Sequence, residues 1–273
     1  MDLIRNLYHR RGRAEDVCQD ATVIALLPAG LAAMSAVVIA VAGLAGGWIV
    51  TAAVGLCVLG IAVGWGELLR LPDRTGTAVL IGALGLAGLV IGTLAIRPEA
   101  GSSRPLAVFA AVIAAAILTS FAHELLRRDG RVDVVESVTG TLTGQVIAVL
   151  ASGWVLLGDT RPGSSAIVVA AAAVAASRVV SGLPLASQTP MLSWVGVVVG
   201  LIAGVASSYF VTGMPPLNAA VVAVAVSGVG IAIDLLFEPM PGRSVDLSVL
   251  ARAGAPVAAA GTIAYAVVRM GIG

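Results

Sequence analysis

The chain has 273 residues, 59% of them hydrophobic and 11% charged, with a net charge of +1 and a mean hydropathy of +1.03. Soluble domains carry about 25% charged residues, so this composition excludes a soluble globular enzyme, a disordered chain and a collagen-like chain. The near-neutral balance leaves no nucleic-acid footprint. All 16 basic residues are arginine, which excludes lysine chemistry. Cys18 and Cys57 give neither a disulfide framework nor a zinc spacing.

Residues 1–21 read as a basic cytoplasmic segment rather than a signal peptide, because no small-residue cleavage site follows a short apolar run. Leu3, Ile4, Leu7 and Tyr8 share one helical face there, beside Arg5, Arg10 and Arg11. A short helix on the membrane surface and a frayed tail both fit. Residues 22–273 then form one transmembrane domain. Its apolar blocks cover 22–44, 48–69, 77–96, 105–126, 138–157, 166–183, 192–211, 217–237 and 249–268. Each is near the length of about 20 residues that a helical span needs. Turn residues separate them: Gly46-Gly47, Pro72-Asp73, Asp129-Gly130, Pro215-Pro216 and others. The expected fold is an all-α bundle of about nine spans built from helix pairs.

Arginine sets the expected orientation. With the N-terminus in the cytoplasm, Arg5, Arg10, Arg11, Arg13, Arg70, Arg74, Arg127, Arg128, Arg131, Arg243 and Arg252 are cytoplasmic. Arg97, Arg104, Arg161 and Arg269 lie outside and Arg178 falls within a span, a ratio of 11 to 4. The location implied is the cell membrane.

One ionisable residue recurs near the cytoplasmic end of every second span. Glu67, Glu124, Arg178 and Asp234 are spaced by 57, 54 and 56 residues. Regular hairpins with border charges that reach the headgroups explain this rhythm. So does convergence of Glu67, His123, Glu124, Arg178 and Asp234 on a cytoplasm-facing cavity. Ionisable groups inside spans are expensive, about 2.5–3.5 kcal/mol at mid-helix. Arg178 follows the apolar run 170–176 and needs a partner, for which Asp234 and Glu124 are the candidates. Small residues on the third and seventh spans, among them Gly85, Gly88, Gly196, Gly200 and Gly204, predict close helix contacts. Asp129, Asp133 and Glu136 are spaced for one helical face and read either as a solvated helix start or as a magnesium site. His123 and Glu124 are adjacent, so they point about 100° apart on a helix, which weighs against an acid–base pair. No phosphate loop, dinucleotide fingerprint or serine elbow is present.

The stretch Thr189-Pro190-Met191-Leu192-Ser193-Trp194-Val195-Gly196 resembles the Ser-Pro-Lys-Lys-Thr-Trp-Glu-Gly motif of the phosphatidate cytidylyltransferase family. Trp65-Gly66-Glu67-Leu68 resembles the end of that family's second helix. Asp234-Leu235-Leu236-Phe237-Glu238 resembles its Gly-Asp-Leu-x-Glu-Ser, and Pro241-Gly242 with Asp246 and Ser248 resembles a shortened form of its signature. The resemblance implies a cytidylyl-transfer scaffold that uses divalent cations. Yet Met191, Leu192 and Val195 stand where the family has charges, Arg178 aligns with a metal-binding aspartate, and the signature histidine is absent. Chemistry of that kind needs carboxylates for metal and cations for triphosphate. The chain therefore reads as a catalytically degenerate relative. It is expected to bind a lipid or prenyl phosphate, or a membrane-protein partner, without a cofactor. The candidate cavity residues are Glu67, His123, Glu124, Arg178, Trp194 and Asp234. Two alternatives stay open: an active CTP-dependent transferase, which would need magnesium, and a small permease.

Overall fold

A computed structural model describes residues 26–95, 105–127, 133–158, 160, 162–183, 190–211, 213–237 and 246–271. The expected N-terminal segment 1–21 lies outside them. All regular structure among the described residues is helical: α1 (Leu26–Ala45), then α2 (Gly47–Leu68), α3 (Arg74–Ala95), α4 (Pro105–Leu126), α5 (Val134–Leu150), α6 (Gly153–Leu157), α7 (Ser164–Ser181), α8 (Pro190–Ser208), α9 (Pro216–Phe237) and α10 (Ser248–Gly271). Each apolar block of the sequence falls on a helix. Among the described residues, seven segments are long and apolar enough to cross a membrane: α1, α2, α3, the joined α5–α6, α7, α9 and α10. The apolar stretches Ala110–Leu126 of α4 and Trp194–Ser208 of α8 are shorter.

Successive helices run up and down through short links. Only Gly46 separates α1 from α2, and its φ of 130° is one that a side chain would resist. The fifth apolar block is carried by two consecutive helices, α5 and α6. Between them the Ser152 N–H donates to Val149 O at 3.0 Å and the Trp154 N–H to Ala151 O at 3.1 Å. These tighter three-residue bonds keep the backbone paired across the joint. The expected span 138–157 thus starts earlier, at Val134, and carries a joint.

α10 is the centre of the bundle. It packs against α2 and α5–α6 on one side and against α9 and α7 on the other. Its sequence explains this, because Ala251, Ala253, Gly254, Ala255, Ala258, Ala260 and Gly261 let neighbours approach closely from several directions. The backbone of Gly261–Thr262 lies where a Cβ on Gly153 would be. Pro256 removes an N–H within α10. One residue on, Val257 O accepts the Trp154 Nε1–H at 2.8 Å. Replacing Trp154 with Phe keeps most of the apolar volume and removes this bond. A loss of about 1–2 kcal/mol is expected, read as a lower midpoint of thermal unfolding in detergent. The same change at exposed Trp194 should leave the midpoint unchanged.

Two lobes flank α10. In the first, α2, α3, α4 and α5 are stitched by polar pairs, since buried hydroxyls and amides in an apolar phase need internal partners. Thr51 bonds Thr93 at 2.8 Å, Thr77 bonds Thr141 at 3.2 Å, and the Ser120 hydroxyl donates to Gln145 Oε1 at 2.7 Å. The Trp65 Nε1–H donates to Gly140 O at 2.8 Å. In the second lobe, α8 turns Gly196 toward α7 and Gly200 and Gly204 into the seam between α7 and α9. A Cβ on Gly196 would meet Ser177 O at 3.3 Å, and Cβ atoms on Gly200 and Gly204 would collide with Ser227 and Ala223 of α9. α1 leans on α7, with Gly43 against Ile167 and Gly182 against Ala29.

Candidate functional site

The up-and-down order brings the C-termini of α2, α4, α7 and α9 to one end, with the N-termini of α3, α5, α8 and α10. That end carries Glu67, Asp73, Arg74, His123, Glu124, Arg127, Arg178, Asp234, Asp246 and Arg252. Among the described residues, Arg269 is the charged residue of the other end. Even hairpin lengths create this segregation. A charge at a helix end reaches water, whereas one at mid-span does not.

The candidate residues form three groups there. The first is the pair between Arg178 of α7 and Asp234 of α9. The Arg178 side chain is 3% exposed and that of Asp234 is 38% exposed. The Arg178 Nη2 also lies 3.4 Å from Ser181 Oγ, one turn along. Its Nε is buried without an acceptor. The guanidinium rests on the α9 backbone, where a Cβ on Gly230 would stand 3.1 Å from Nη2. Arg252 of α10 lies within electrostatic reach of both Asp234 and Asp246.

The second group ties α2 to α10. The Leu247 N–H donates to Glu67 Oε2 at 3.0 Å, and Arg74 stands 3.5 Å from the other oxygen of that carboxylate. Asp246 accepts the Ser248 N–H at 3.1 Å and the Ser248 hydroxyl. The first turn of α10 is therefore capped twice, once from its own chain start and once by Glu67. An anionic group at a helix N-terminus is also favoured by the helix dipole.

The third group lies on α4. His123 Nε2 stands 3.4 Å from Asp73 Oδ2, and Asp73 caps α3 by accepting the Gly76 N–H at 2.9 Å. Gly76 makes room for the imidazole, since a Cβ there would collide with it. Glu124 turns the other way and pairs with Arg127 at 2.9 Å, both buried. His123 and Glu124 thus have different partners, as their adjacency on a helix requires.

Arg178 finds Asp234 and not Glu124. α7 packs on α8, α9 and α10, whereas α4 packs on α3 and α5. Glu67, His123 and Glu124 share the end of the bundle with that pair but are held in their own contacts. Trp194 is 64% exposed at the start of α8. Arg252 acts on Asp234 electrostatically, although the sequence offered it only as a topology marker. Two described cavities lie elsewhere. One, of about 660 Å³, is at the opposite end between Gly163, Gly213 and Asn218. The other, of about 570 Å³, is an apolar groove of α8 along Leu201, Val205 and Phe210.

The resemblance would place a divalent cation at Arg178 and Asp234. Here the carboxylate is met by guanidinium groups, so this pair does not fit a divalent cation. Among the described residues no three His, Cys, Asp or Glu side chains gather as a metal requires. Asp133 lies just before α5 with φ of 54°, so it does not extend the face of exposed Glu136. Asp129 lies outside the described residues. Comparison with family models, with curated proteins and with solved structures finds no match to the chain.

Proposed function

We propose that the chain is a non-catalytic multi-pass protein of the cell membrane that holds the phosphate of a membrane lipid or prenyl lipid at Arg178, on a scaffold related to the phosphatidate cytidylyltransferases. The observation that carries this reading is the Arg178–Asp234 pair. A guanidinium is buried near a helix end, with an unspent Nε donor and a partly exposed carboxylate as its neutralising partner. Arginine matches the oxygens of a phosphate through its planar fork. Asp234 keeps Arg178 neutralised and oriented when no lipid is bound. Glu67 and Glu124 brace the helices around it.

In this reading α4 and α8 also cross the bilayer, which makes nine spans and puts the N-terminus in the cytoplasm. α4 runs 22 residues and α8 runs 19, and α8 has exposed aromatics at both ends, Trp194 and Tyr209 with Phe210. Such residues anchor at the two membrane interfaces. The gathering of charge at one bundle end agrees with the arginine bias of the sequence and favours a headgroup site over a translocation path.

Purified protein should retain phospholipid, and Arg178→Ala should be depleted of it, as measured by mass spectrometry of extracted lipid. Equal lipid in both proteins removes Arg178 from the role. Incorporation of labelled CTP into lipid by purified membranes, lost in Asp234→Asn, would replace this reading with an active transferase.

A further inference from the structure

We propose that Asp234 is a displaceable internal anion, which occupies Arg178 in the lipid-free protein and yields it to a phosphate monoester by moving onto Arg252. The inference rests on the lipid-phosphate reading above and names its ligand class and its opening step.

A guanidinium as buried as Arg178 needs an anion at all times, because an uncompensated charge in this setting is costly. Exchanging one anion for another avoids that cost. The guanidinium itself is the fixed member. Its face lies on the backbone at Gly230, and it is the more deeply buried of the two. Asp234 is the outer and more exposed partner, so it is the member free to leave.

The donors of Arg178 are incompletely used. Nη1 serves Asp234, Nη2 has the 3.4 Å contact to Ser181, and Nε has no acceptor. Nε and Nη2 together form an edge that suits two oxygens of one phosphate. A terminal phosphate has three such oxygens and can take over Nη1 as well. Asp234 then has a second cation on the neighbouring helix, since α10 packs against α9 and Arg252 acts on Asp234 electrostatically. Asp246 acts on Arg252 in the same way. A lipid ending in a phosphate monoester fits this exchange. A choline headgroup brings its own cation toward two arginines and does not.

The test measures binding of dioleoyl phosphatidate to the full chain in phosphatidylcholine nanodiscs. Wild type should bind it and Arg178→Gln should not. Asp234→Asn removes the competing charge and should bind about tenfold tighter, the worth of one charged hydrogen bond. Its thermal midpoint should also rise more with phosphatidate than that of wild type. Arg252→Ala removes the alternative resting place and should bind more weakly. Weaker binding by Asp234→Asn would overturn the proposal and leave Asp234 as a fixed orienting group. If Asp234→Asn is not recovered monodisperse, Arg252→Ala decides, and wild-type affinity there overturns the proposal. Displacement of phosphatidate by millimolar inorganic phosphate would support the exchange with phosphate itself as the ligand. Its failure to compete would support the exchange with the lipid form. Equal phosphatidate binding by wild type and Arg178→Gln would instead remove the lipid-phosphate reading, and this inference with it.

Discussion

Asp234→Ala should destabilise the lipid-free protein by about 3 kcal/mol, the low end of what breaking a buried ion pair costs. Adding Arg178→Leu should return most of that loss. The asymmetry of burial gives the reason. Arg178 is 3% exposed, so it is the residue stranded when its carboxylate goes, whereas Asp234 at 38% exposed is the outer partner. Removing the cation as well leaves apolar neighbours around an apolar side chain, and replacing both partners is close to neutral. Unfolding of the two single variants and the double variant in detergent measures the coupling. Additive losses would show that the pair does not act as a unit.

Gly153→Val should not yield a folded protein, with a cost above about 4 kcal/mol. The added carbons would fall on the backbone of α10 at Gly261–Thr262. Backbone cannot swing aside as a side chain can, so α10 would have to leave the joint between α5 and α6. The nearby Thr262 hydroxyl, which donates to Leu150 O, and the Trp154 bond to Val257 O would be lost together. Recovery of monodisperse protein and its melting midpoint test this. Gly30→Ala is the control, because a Cβ there meets nothing within 4 Å and alanine is the better helix former. A Gly153→Val protein that melts like wild type would place α10 elsewhere.

The helices were largely legible in the sequence. Apolar blocks and turn residues marked each of them, because a long apolar run has few other stable conformations. Gly46-Gly47 marked the tightest turn. The joint at Ala151–Ser152 was not legible. No Pro or Gly pair announces it before Gly153, the residue against which the α10 backbone lies.

The site was legible in part. Equal hairpin lengths put Glu67, Glu124, Arg178 and Asp234 at the same end of the bundle. They could not say which of them meet, since residues at one end of a bundle can be neighbours or lie on opposite lobes. The packing of α7 on α9 and of α4 on α3 and α5 decided that. It gave Arg178 to Asp234 and His123 to Asp73, while Glu124 pairs with Arg127 three residues along its own chain. It also brought Arg252 into the electrostatic environment of Asp234.

By itself the sequence determined an all-helical chain, apolar enough for a membrane, with its scarce charges gathered toward one side. Those properties follow from local composition and from the length of each apolar run. Only the tertiary structure decided that α10 is the central helix and that the buried Arg178 pairs with Asp234. These depend on which small residues let two backbones approach, and that is a property of helix pairs rather than of any one helix.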